Sequence, residues 1–255
     1  MRTYKLTIAY DGTRYQGWQR QTNTEKTIQG ILEGALSEAA GYAVEIDGSG
    51  RTDAGVHAAG QTASVVLPGA VEEGFFTGRL NGMLPPDIRI CSAELVRNGF
   101  HARKSVVGKI YEYHIDTGDK PDVFHRRYAY HFPHRLDLSA MRKAAGYLTG
   151  THDFAGYTDR KPTGEGRTGK GAEMSTKRTV YAIIVSGQEN HVVIRYDGTG
   201  FLYHMVRILT GTLLEAGIHE RSPESVRGVL QTKDRSEAGF LAPARGLFLR
   251  EVRYR

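Results

Sequence analysis

The strongest chemical pattern in the chain is a ten-residue segment, Gly48-Ser49-Gly50-Arg51-Thr52-Asp53-Ala54-Gly55-Val56-His57. Its glycines allow the backbone to turn tightly on both sides of Asp53 and leave room for a ligand. Arg51 lies two residues earlier, and a nearby cation favours the ionised form of a carboxyl group. An ionised carboxylate can act as a nucleophile or as a general base. The same residues also fit an aspartate that caps a turn beside a surface arginine, so the segment alone leaves both interpretations open.

Two glycine-rich runs resemble nucleotide-binding motifs but lack essential parts of them. In residues 164–171, Gly171 stands where a P-loop has Ser or Thr, and no strand immediately precedes the run. Residues 48–50 lack the third glycine and the following helix of a dinucleotide fingerprint. The ten histidines show no HExxH or paired metal spacing, and a single cysteine excludes a thiolate zinc cluster. The sequence therefore predicts no metal and no nucleotide cofactor.

The elements that must position these residues follow from the apolar spacing. Alternation over residues 4–10 predicts a strand, and apolar residues at helical spacing over 28–39 predict a helix that ends at Gly41. Further strands are predicted over residues 44–47, 61–67 and 88–95, and a second helix over 75–83. This β-α-β-β-α-β order matches a ferredoxin-like unit.

The second half repeats this mixture of strands and helices. Strands are predicted over residues 111–115, 180–185, 191–196 and 247–254, and helices over 138–148 and 205–217. Ser222-Pro223 supplies an N-cap and a first-turn proline for one more helix. Antiparallel sheets with helices on one face make the fold class α+β.

Charge is distributed unevenly along the chain. Residues 1–103 hold 10 Lys/Arg against 11 Asp/Glu, whereas residues 104–255 hold 24 against 17. We therefore expect two domains, 1–103 and 104–255. The segment 160–178 holds six of these basic residues against two acidic ones. A concentrated positive surface favours a polyanion such as nucleic acid, although a solvated basic loop explains the charge equally well. No run approaches the apolar length of a membrane span, and the N-terminus lacks a signal-peptide pattern, so we expect a cytoplasmic protein.

Six ordered blocks along nearly the whole chain resemble the family of tRNA pseudouridine synthase A. The ten-residue segment around Asp53 corresponds to its catalytic signature. The other blocks are Tyr10-Asp11-Gly12-Thr13 with Gly17-Trp18-Gln19, Leu84-Pro85-Pro86-Asp87-Ile88-Arg89, Phe100-His101-Ala102-Arg103, Gly150-Thr151-His152-Asp153-Phe154 and His204-Met205-Val206-Arg207. The resemblance implies two ferredoxin-like (RRM-like) subdomains, with antiparallel sheets joined across a central active-site cleft.

The resemblance also implies a reaction and its residues. The family detaches uracil from C1′ of a tRNA uridine, rotates it and reattaches it through C5, chemistry that requires no cofactor and no metal. Asp53 matches the catalytic aspartate. Tyr111 matches the tyrosine that packs on the target base, although alternation places Tyr113 on the same face of its strand. Arg207 matches an arginine that pairs with the aspartate, and Arg51 matches one that helps to extrude the target nucleotide.

The resemblance further implies RNA contacts and a partner. Phe100, His101, Ala102, Arg103 and Lys104, together with Lys177 and Arg178, match the RNA-binding stretches. Trp18 is either a buried sheet residue or a stacking platform. The family acts at positions 38 to 40 of the anticodon stem-loop and is typically homodimeric. A non-catalytic RNA-binding protein on the same scaffold, or a paralogue that modifies other tRNA uridines, remains the alternative. The basic loop over residues 159–176 departs from the family pattern.

Overall fold

The computed structural model of the chain describes residues 1–72, 74–159 and 175–255. Within these ranges the chain has a mixed α+β fold with ten strands and five α-helices. It divides into two compact units: Met1–Lys109 with Phe248–Arg255, and Ile110–Leu247. The chain passes between the units inside one strand and again at the start of its last strand. A division into domains at residues 103 and 104 stays a prediction. In the described ranges, no helix is long and apolar enough to cross a membrane.

The first unit follows the predicted β-α-β-β-α-β order of elements. The elements are β1 (Arg2–Tyr10), α1 (Ile28–Ala40), β2 (Ile46–Gly48), β3 (His57–Leu67), a wide helical turn (Phe75–Leu80) that continues into α2 (Asn81–Met83), and β4 (Ile88–Val96). Strands β4, β1 and β3 lie side by side in that order, and β2 pairs antiparallel with β3.

Helix α1 shows why these residues fold as the sequence predicts. The Thr27 side chain accepts a hydrogen bond from the Gly30 amide, which caps the first turn. Gly41 ends the helix with φ 77°, the left-handed conformation that glycine adopts without strain. Leu32 and Leu36 lie on one face of the helix and are buried in the core of this unit. The predicted helix and its stop are confirmed.

The second unit contains β5 (Val106–Asp116), which enters it at Ile110, then β6 (Tyr130–His131), α3 (Leu138–Leu148), β7 (Gly150–Asp153), β8 (Lys177–Gln188), β9 (His191–Gly198), α4 (Met205–Gly217) and α5 (Val226–Thr232). Four of its strands lie side by side in the order β5-β9-β8-β7, and β6 pairs parallel with the end of β5. Strands β8 and β9 pair antiparallel.

Two details differ from the sequence-based expectations. The last strand, β10 (Leu247–Tyr254), pairs parallel with β3 through Phe248 opposite His57, so the sheet of the first unit is not purely antiparallel. A parallel pair joins segments far apart in sequence, which periodicity does not report. Ser222 forms no side-chain cap, because Pro223 begins a separate 3₁₀ turn before α5 starts at Val226.

Helix α4 packs directly against the backbone of residues 239–242. A Cβ atom on Gly211 would overlap the Phe240 carbonyl, and one on Gly239 would overlap the Thr212 backbone. The Thr212 hydroxyl accepts a hydrogen bond of 2.9 Å from the Gly239 amide across this contact. Two glycines therefore allow a segment without regular structure to lie closer to the helix than side chains would permit.

Alanine substitution at two helical glycines tests this close approach, because Gly211 touches the Phe240 backbone and Gly146 has open space around it. Gly211→Ala should lower the free energy of unfolding by about 1–3 kcal/mol, since the new methyl group forces the backbones apart. Gly146→Ala, at an exposed position of α3 with open space around it, should raise that free energy by about 0.5–1 kcal/mol. Thermal unfolding followed by circular dichroism measures both changes. Equal shifts for the two variants would contradict the packing described for α4.

Candidate active site

Backbone hydrogen bonds from residues 10–18 hold the loop that carries Asp53. The Trp18 amide donates to the Thr52 carbonyl at 3.1 Å, and the Gly55 amide donates to the Tyr15 carbonyl at 3.3 Å. The two bonds lie on either side of Asp53, whose side chain is half-buried. The block Tyr10–Gln19 is therefore the support of the aspartate loop.

Glycines bring the two backbones into direct contact. A Cβ atom on Gly12 would overlap the Val56 carbonyl, and a Cβ atom on Gly17 would lie 2.6 Å from the Thr52 carbonyl oxygen. Gly17 also has φ 90°, a conformation that other residues rarely adopt. The Gly12 amide donates a hydrogen bond of 3.1 Å to Nδ1 of the buried His57. Gly12 and Gly17 therefore both allow the backbone of residues 12–17 to lie against the backbone of residues 52–56.

Trp18 belongs to the core of the first unit. Its side chain is 2% exposed and lies under Gly48, where a Cβ atom would overlap the indole ring. The Tyr10 hydroxyl, at the edge of the same cluster, lies 2.7 Å from the Thr52 hydroxyl. Of the two interpretations of Trp18, the structure supports the buried sheet residue.

Arg51 is exposed at the start of the aspartate loop. Its Nε donates a hydrogen bond of 3.1 Å to Gln19 Oε1, and the amide group of Gln19 donates to Gln29 Oε1 at 2.6 Å. The guanidinium is therefore oriented by a chain of amides and retains exposed surface. The sequence did not predict that Gln19 orients Arg51, although Gln19 belongs to the matched block Gly17-Trp18-Gln19.

Residues 100–104 form a tight turn whose members differ in exposure. Ala102 is fully buried, its amide donates a hydrogen bond of 3.1 Å to the Ser64 hydroxyl oxygen, and its carbonyl accepts one of 2.7 Å from the Tyr254 hydroxyl. Arg103 and Lys104 are exposed. Ala102 therefore anchors the turn, while contacts of Arg103 and Lys104 with RNA stay predictions.

The two other members of this turn are half-buried. The Phe100 ring packs on the ring of Tyr254 with 5.0 Å between centroids. His101 Nε2 lies 3.8 Å from the carboxylate of Asp47. RNA contacts by Phe100 and His101 stay predictions.

The structure separates the two tyrosines of β5, which the sequence pattern left on one face. Tyr113 is fully buried, its hydroxyl donates to the Pro243 carbonyl at 2.7 Å, and burial raises the pKa of this hydroxyl well above its ordinary value. Tyr111 is also buried, at 8% exposed, and packs edge-on against Phe201 with 5.4 Å between ring centroids. The Tyr113 hydroxyl is therefore bound within the core, and the contact of Tyr111 with a base stays a prediction.

Arg207 lies in the first turn of α4 and is half-buried. Its Nε donates a hydrogen bond of 2.7 Å to the Ala242 carbonyl, and the Ala242 amide returns one of 3.3 Å to the Arg207 carbonyl. The close approach at Gly211 and Gly239 makes these bonds possible. Because a buried guanidinium requires partners, the segment at Ala242 fixes the orientation of this side chain.

A charged cluster that sequence analysis missed fixes the start of α4. His204, which precedes the helix, has φ 61°, and its Nδ1 lies 2.6 Å from the Asp159 carboxylate. Arg235 donates to the same carboxylate at 2.8 Å. Although partial burial raises the pKa of Asp159, these two hydrogen bonds outweigh burial and lower it below the ordinary value. The contacts join residues far apart in sequence, so no local pattern indicates them.

Lys177 and Arg178 begin β8, where Arg178 lies opposite His152 of β7. Lys177 is exposed, whereas Arg178 is half-buried and donates to the Ser175 carbonyl at 2.7 Å. Burial lowers the pKa of the Arg178 guanidinium below its ordinary value. The basic residues of the loop Arg160, Lys161, Arg167 and Lys170 lie outside the described residues.

The predicted site residues are distributed over both units. Asp53, Arg51 and residues 100–104 belong to the first unit, while Tyr111, Lys177, Arg178 and Arg207 belong to the second. Among the residues that the structure describes, no group of three His, Cys, Asp or Glu side chains is placed to hold a metal ion. The first unit by itself offers a carboxylate on a fixed loop and an oriented, exposed guanidinium, which suit acid–base or nucleophilic chemistry on an anionic substrate.

Comparison with known proteins defines the class to which this arrangement belongs. A family model described as tRNA pseudouridine synthase matches residues 6–103 and 144–255. The tRNA pseudouridine synthase A of Bacillus subtilis strain 168 is 43% identical over 253 residues, covering 98% of both chains. That of Bacillus sp. strain KSM-64 is 42% identical over 254 residues and covers both chains completely. The tRNA pseudouridine synthase A 2 of Clostridium tetani is 42% identical over 99% of both chains.

A fixed aspartate loop and matches that extend over the full length of these relatives lead to the same class. The chain belongs to the tRNA pseudouridine synthase A family. The family resemblance predicted from the sequence blocks is confirmed.

Phenylalanine substitutions separate the roles of the two tyrosines on β5. Tyr113→Phe removes a buried donor from the Pro243 carbonyl, so we expect a loss of about 1–3 kcal/mol in the free energy of unfolding and nearly unchanged turnover. Tyr111→Phe keeps the ring but removes the hydroxyl, so we expect turnover at saturating tRNA to fall roughly 100-fold or more. Circular dichroism and tritium release from tRNA labelled at uridine C5 measure the two effects. Equal turnover of the two variants would contradict this assignment.

Proposed function

We propose that the chain converts uridine to pseudouridine at positions 38 to 40 of the anticodon stem-loop of tRNA, with Asp53 as the catalytic carboxylate. Membership of the tRNA pseudouridine synthase A family makes the chain an isomerase that acts on tRNA uridine. The observation that carries the assignment to Asp53 is the loop around it, held on both sides by the backbone of residues 15–18. A carboxylate with so little freedom is preorganised for chemistry.

Asp53 acts in the first step of the reaction, when the bond between C1′ and N1 of uridine breaks. The carboxylate either attacks C1′ and becomes covalently bound to it, or removes a ribose proton and leads to a glycal. Uracil then rotates and forms a new bond from C5 to C1′, and the C5 proton leaves. Both routes require the ionised carboxylate, and both return it unchanged at the end of the cycle.

Three further residues have roles in this proposal. The ring of Tyr111 stacks on the uracil once the nucleotide is flipped out of the stem-loop, and its hydroxyl assists the loss of the C5 proton. Arg51 contacts the phosphate of the flipped nucleotide. Its guanidinium suits this role because it is exposed and is oriented by the hydrogen bond to Gln19. Arg207 is the catalytic arginine, and the Ala242 carbonyl orients its guanidinium.

The wider surface of the protein fits an RNA partner. Arg103, Lys104 and Lys177 are exposed cations that neutralise phosphates, and the excess of 24 Lys/Arg over 17 Asp/Glu after residue 103 supports the same partner. We further propose that each half forms a ferredoxin-like subdomain. The protein acts as a homodimer, and it acts in the cytoplasm because its substrate is tRNA.

Asp53→Asn tests the function, the position and the residue together. In cells that lack this gene, the wild-type chain should restore pseudouridine at tRNA positions 38 to 40, mapped by sequencing. Asp53→Asn should restore none, because the nearly isosteric amide is neither a nucleophile nor a base. Glu94→Gln, which replaces an exposed carboxylate of the same unit, should behave like the wild type.

The purified variants serve as the control for folding. Asp53→Asn should keep the circular dichroism spectrum of the wild type and most of its affinity for tRNA. Pseudouridine at other positions would contradict the proposed specificity. Restoration by Asp53→Asn would contradict the catalytic role, and binding without turnover by the wild-type chain would favour a non-catalytic RNA-binding protein.

A further inference from the structure

Lys109 on β5 lies against the glycine-rich segment that leads to Asp53. Its ammonium group donates a hydrogen bond of 3.1 Å to the carbonyl oxygen of Ser49. A Cβ atom on Gly50 would overlap that ammonium group, so the glycine lets Lys109 reach the backbone. The contact joins the side chain of a neighbouring strand to the loop four residues before Asp53.

The segment is held on its other side by β3. The Ser49 amide donates to the Thr62 carbonyl at 2.8 Å, and the Ser49 hydroxyl donates to Gln61 Oε1 at 2.6 Å. The side-chain amide of Gln61 donates in turn to the Gly50 carbonyl at 3.0 Å. Lys109 thus holds the Ser49 carbonyl and Gln61 holds the Gly50 carbonyl, so each of the two peptide groups around Gly50 has a side-chain donor.

The Lys109 side chain is half-buried, and placing its ammonium group here costs desolvation free energy. Burial, together with the positive charge of Arg103, lowers the pKa of the Lys109 ammonium to about 8. A buried ammonium group destabilises a protein unless polar groups accept its hydrogen bonds. A neutral side chain in this place would avoid that cost, and a perturbed charge beside a site is a candidate for function.

We propose that Lys109 is a positioning residue for the isomerisation, because its ammonium group fixes the peptide groups that set the direction of the loop carrying Asp53. The inference rests on the proposed role of Asp53. A hydrogen bond from a charged donor is roughly twice as strong as a neutral one, so Lys109 restrains the loop more firmly than an amide or a hydroxyl would. A displacement of a catalytic group by about 1 Å can cost about 100-fold in rate.

The experiment measures kcat, KM and tRNA affinity for variants of the purified full chain. Lys109→Ala removes the ammonium group, and Lys109→Arg keeps a charged donor. Gly50→Ala disturbs the same contact from the loop side, and the double variant combines it with Lys109→Ala. Lys5→Ala, a half-buried lysine on β1 that pairs with Glu94, is the matched control.

Lys109→Ala should lower kcat roughly 10–100-fold and leave KM and tRNA affinity nearly unchanged, because the substrate surface is intact. Lys109→Arg should recover most of the loss, and Lys5→Ala should match the wild type. Gly50→Ala should lower kcat in the wild-type background but little in the Lys109→Ala background. This non-additivity is expected of two changes to one contact. Where Lys109→Ala folds poorly, Gly50→Ala in the otherwise wild-type chain still tests the contact, because it disturbs the ammonium group from the loop side.

Three results would overturn the proposal. An unchanged kcat in both Lys109→Ala and Gly50→Ala would remove the positioning role. A raised KM with unchanged kcat, and a salt dependence of binding flatter by about 0.7–0.9 in log–log slope, would make Lys109 a phosphate ligand instead. Fully additive effects of the two changes would show that they do not share a contact. Asp53→Asn is measured in parallel: if it stays active, the proposed site is wrong, and if it is inactive, only the role of Lys109 is being tested.

Discussion

The contact between two stretches of backbone is the constraint on which the first unit depends. Gly12 and Gly17 carry no side chain where residues 52–56 approach, and a Cβ atom at either position would lie too close to a carbonyl group. Because the backbones touch, amide groups on one stretch reach carbonyl groups on the other. A short loop that would otherwise have many conformations is therefore held in one, and Asp53 lies at its centre.

The second unit uses the same physical solution for a different residue. Gly211 and Gly239 let the backbone around Phe240 lie directly on α4, and this brings the Ala242 carbonyl to the Arg207 guanidinium. Fixing the long Arg207 side chain costs conformational entropy. The hydrogen bond to the Ala242 carbonyl, which the packing has already positioned, offsets this cost. In each unit, glycines outside the predicted site residues let a second stretch of backbone lie close to one of those residues.

The sequence predicted the regular elements and the aspartate loop well, and long-range pairings poorly. The bounds of α1 follow from local apolar spacing, a cap and a stop, all of which lie within the element itself. The parallel pairing of β10 with β3 depends on residues almost 200 positions apart, for instance Phe248 and His57, and no local pattern encodes it. Periodicity also could not separate Tyr111 from Tyr113, because strand neighbours two apart share a face.

The site shows the same limit at the level of side chains. Asp53 stands in a recognisable motif, whereas Lys109 has no motif and acquires its contact only because β5 lies beside the Ser49 carbonyl. No local sequence pattern predicts the contacts of Asp159 either, since His204 and Arg235 reach it from distant parts of the chain. A residue within a motif can be found from residue types and spacing, whereas a residue whose contacts come from distant parts of the chain is defined only by the fold.

Native-state hydrogen exchange tests directly whether the aspartate loop is fixed. The Trp18 and Gly55 amides donate to carbonyl groups across the contact between the two backbones. If this contact fixes the loop, both amides should exchange at least about 1,000-fold more slowly than unprotected amides, an opening free energy of about 4 kcal/mol. Exchange of these two amides at nearly unprotected rates, while the amides of β1 remain protected, would show that the loop is mobile in the folded protein and would contradict the account.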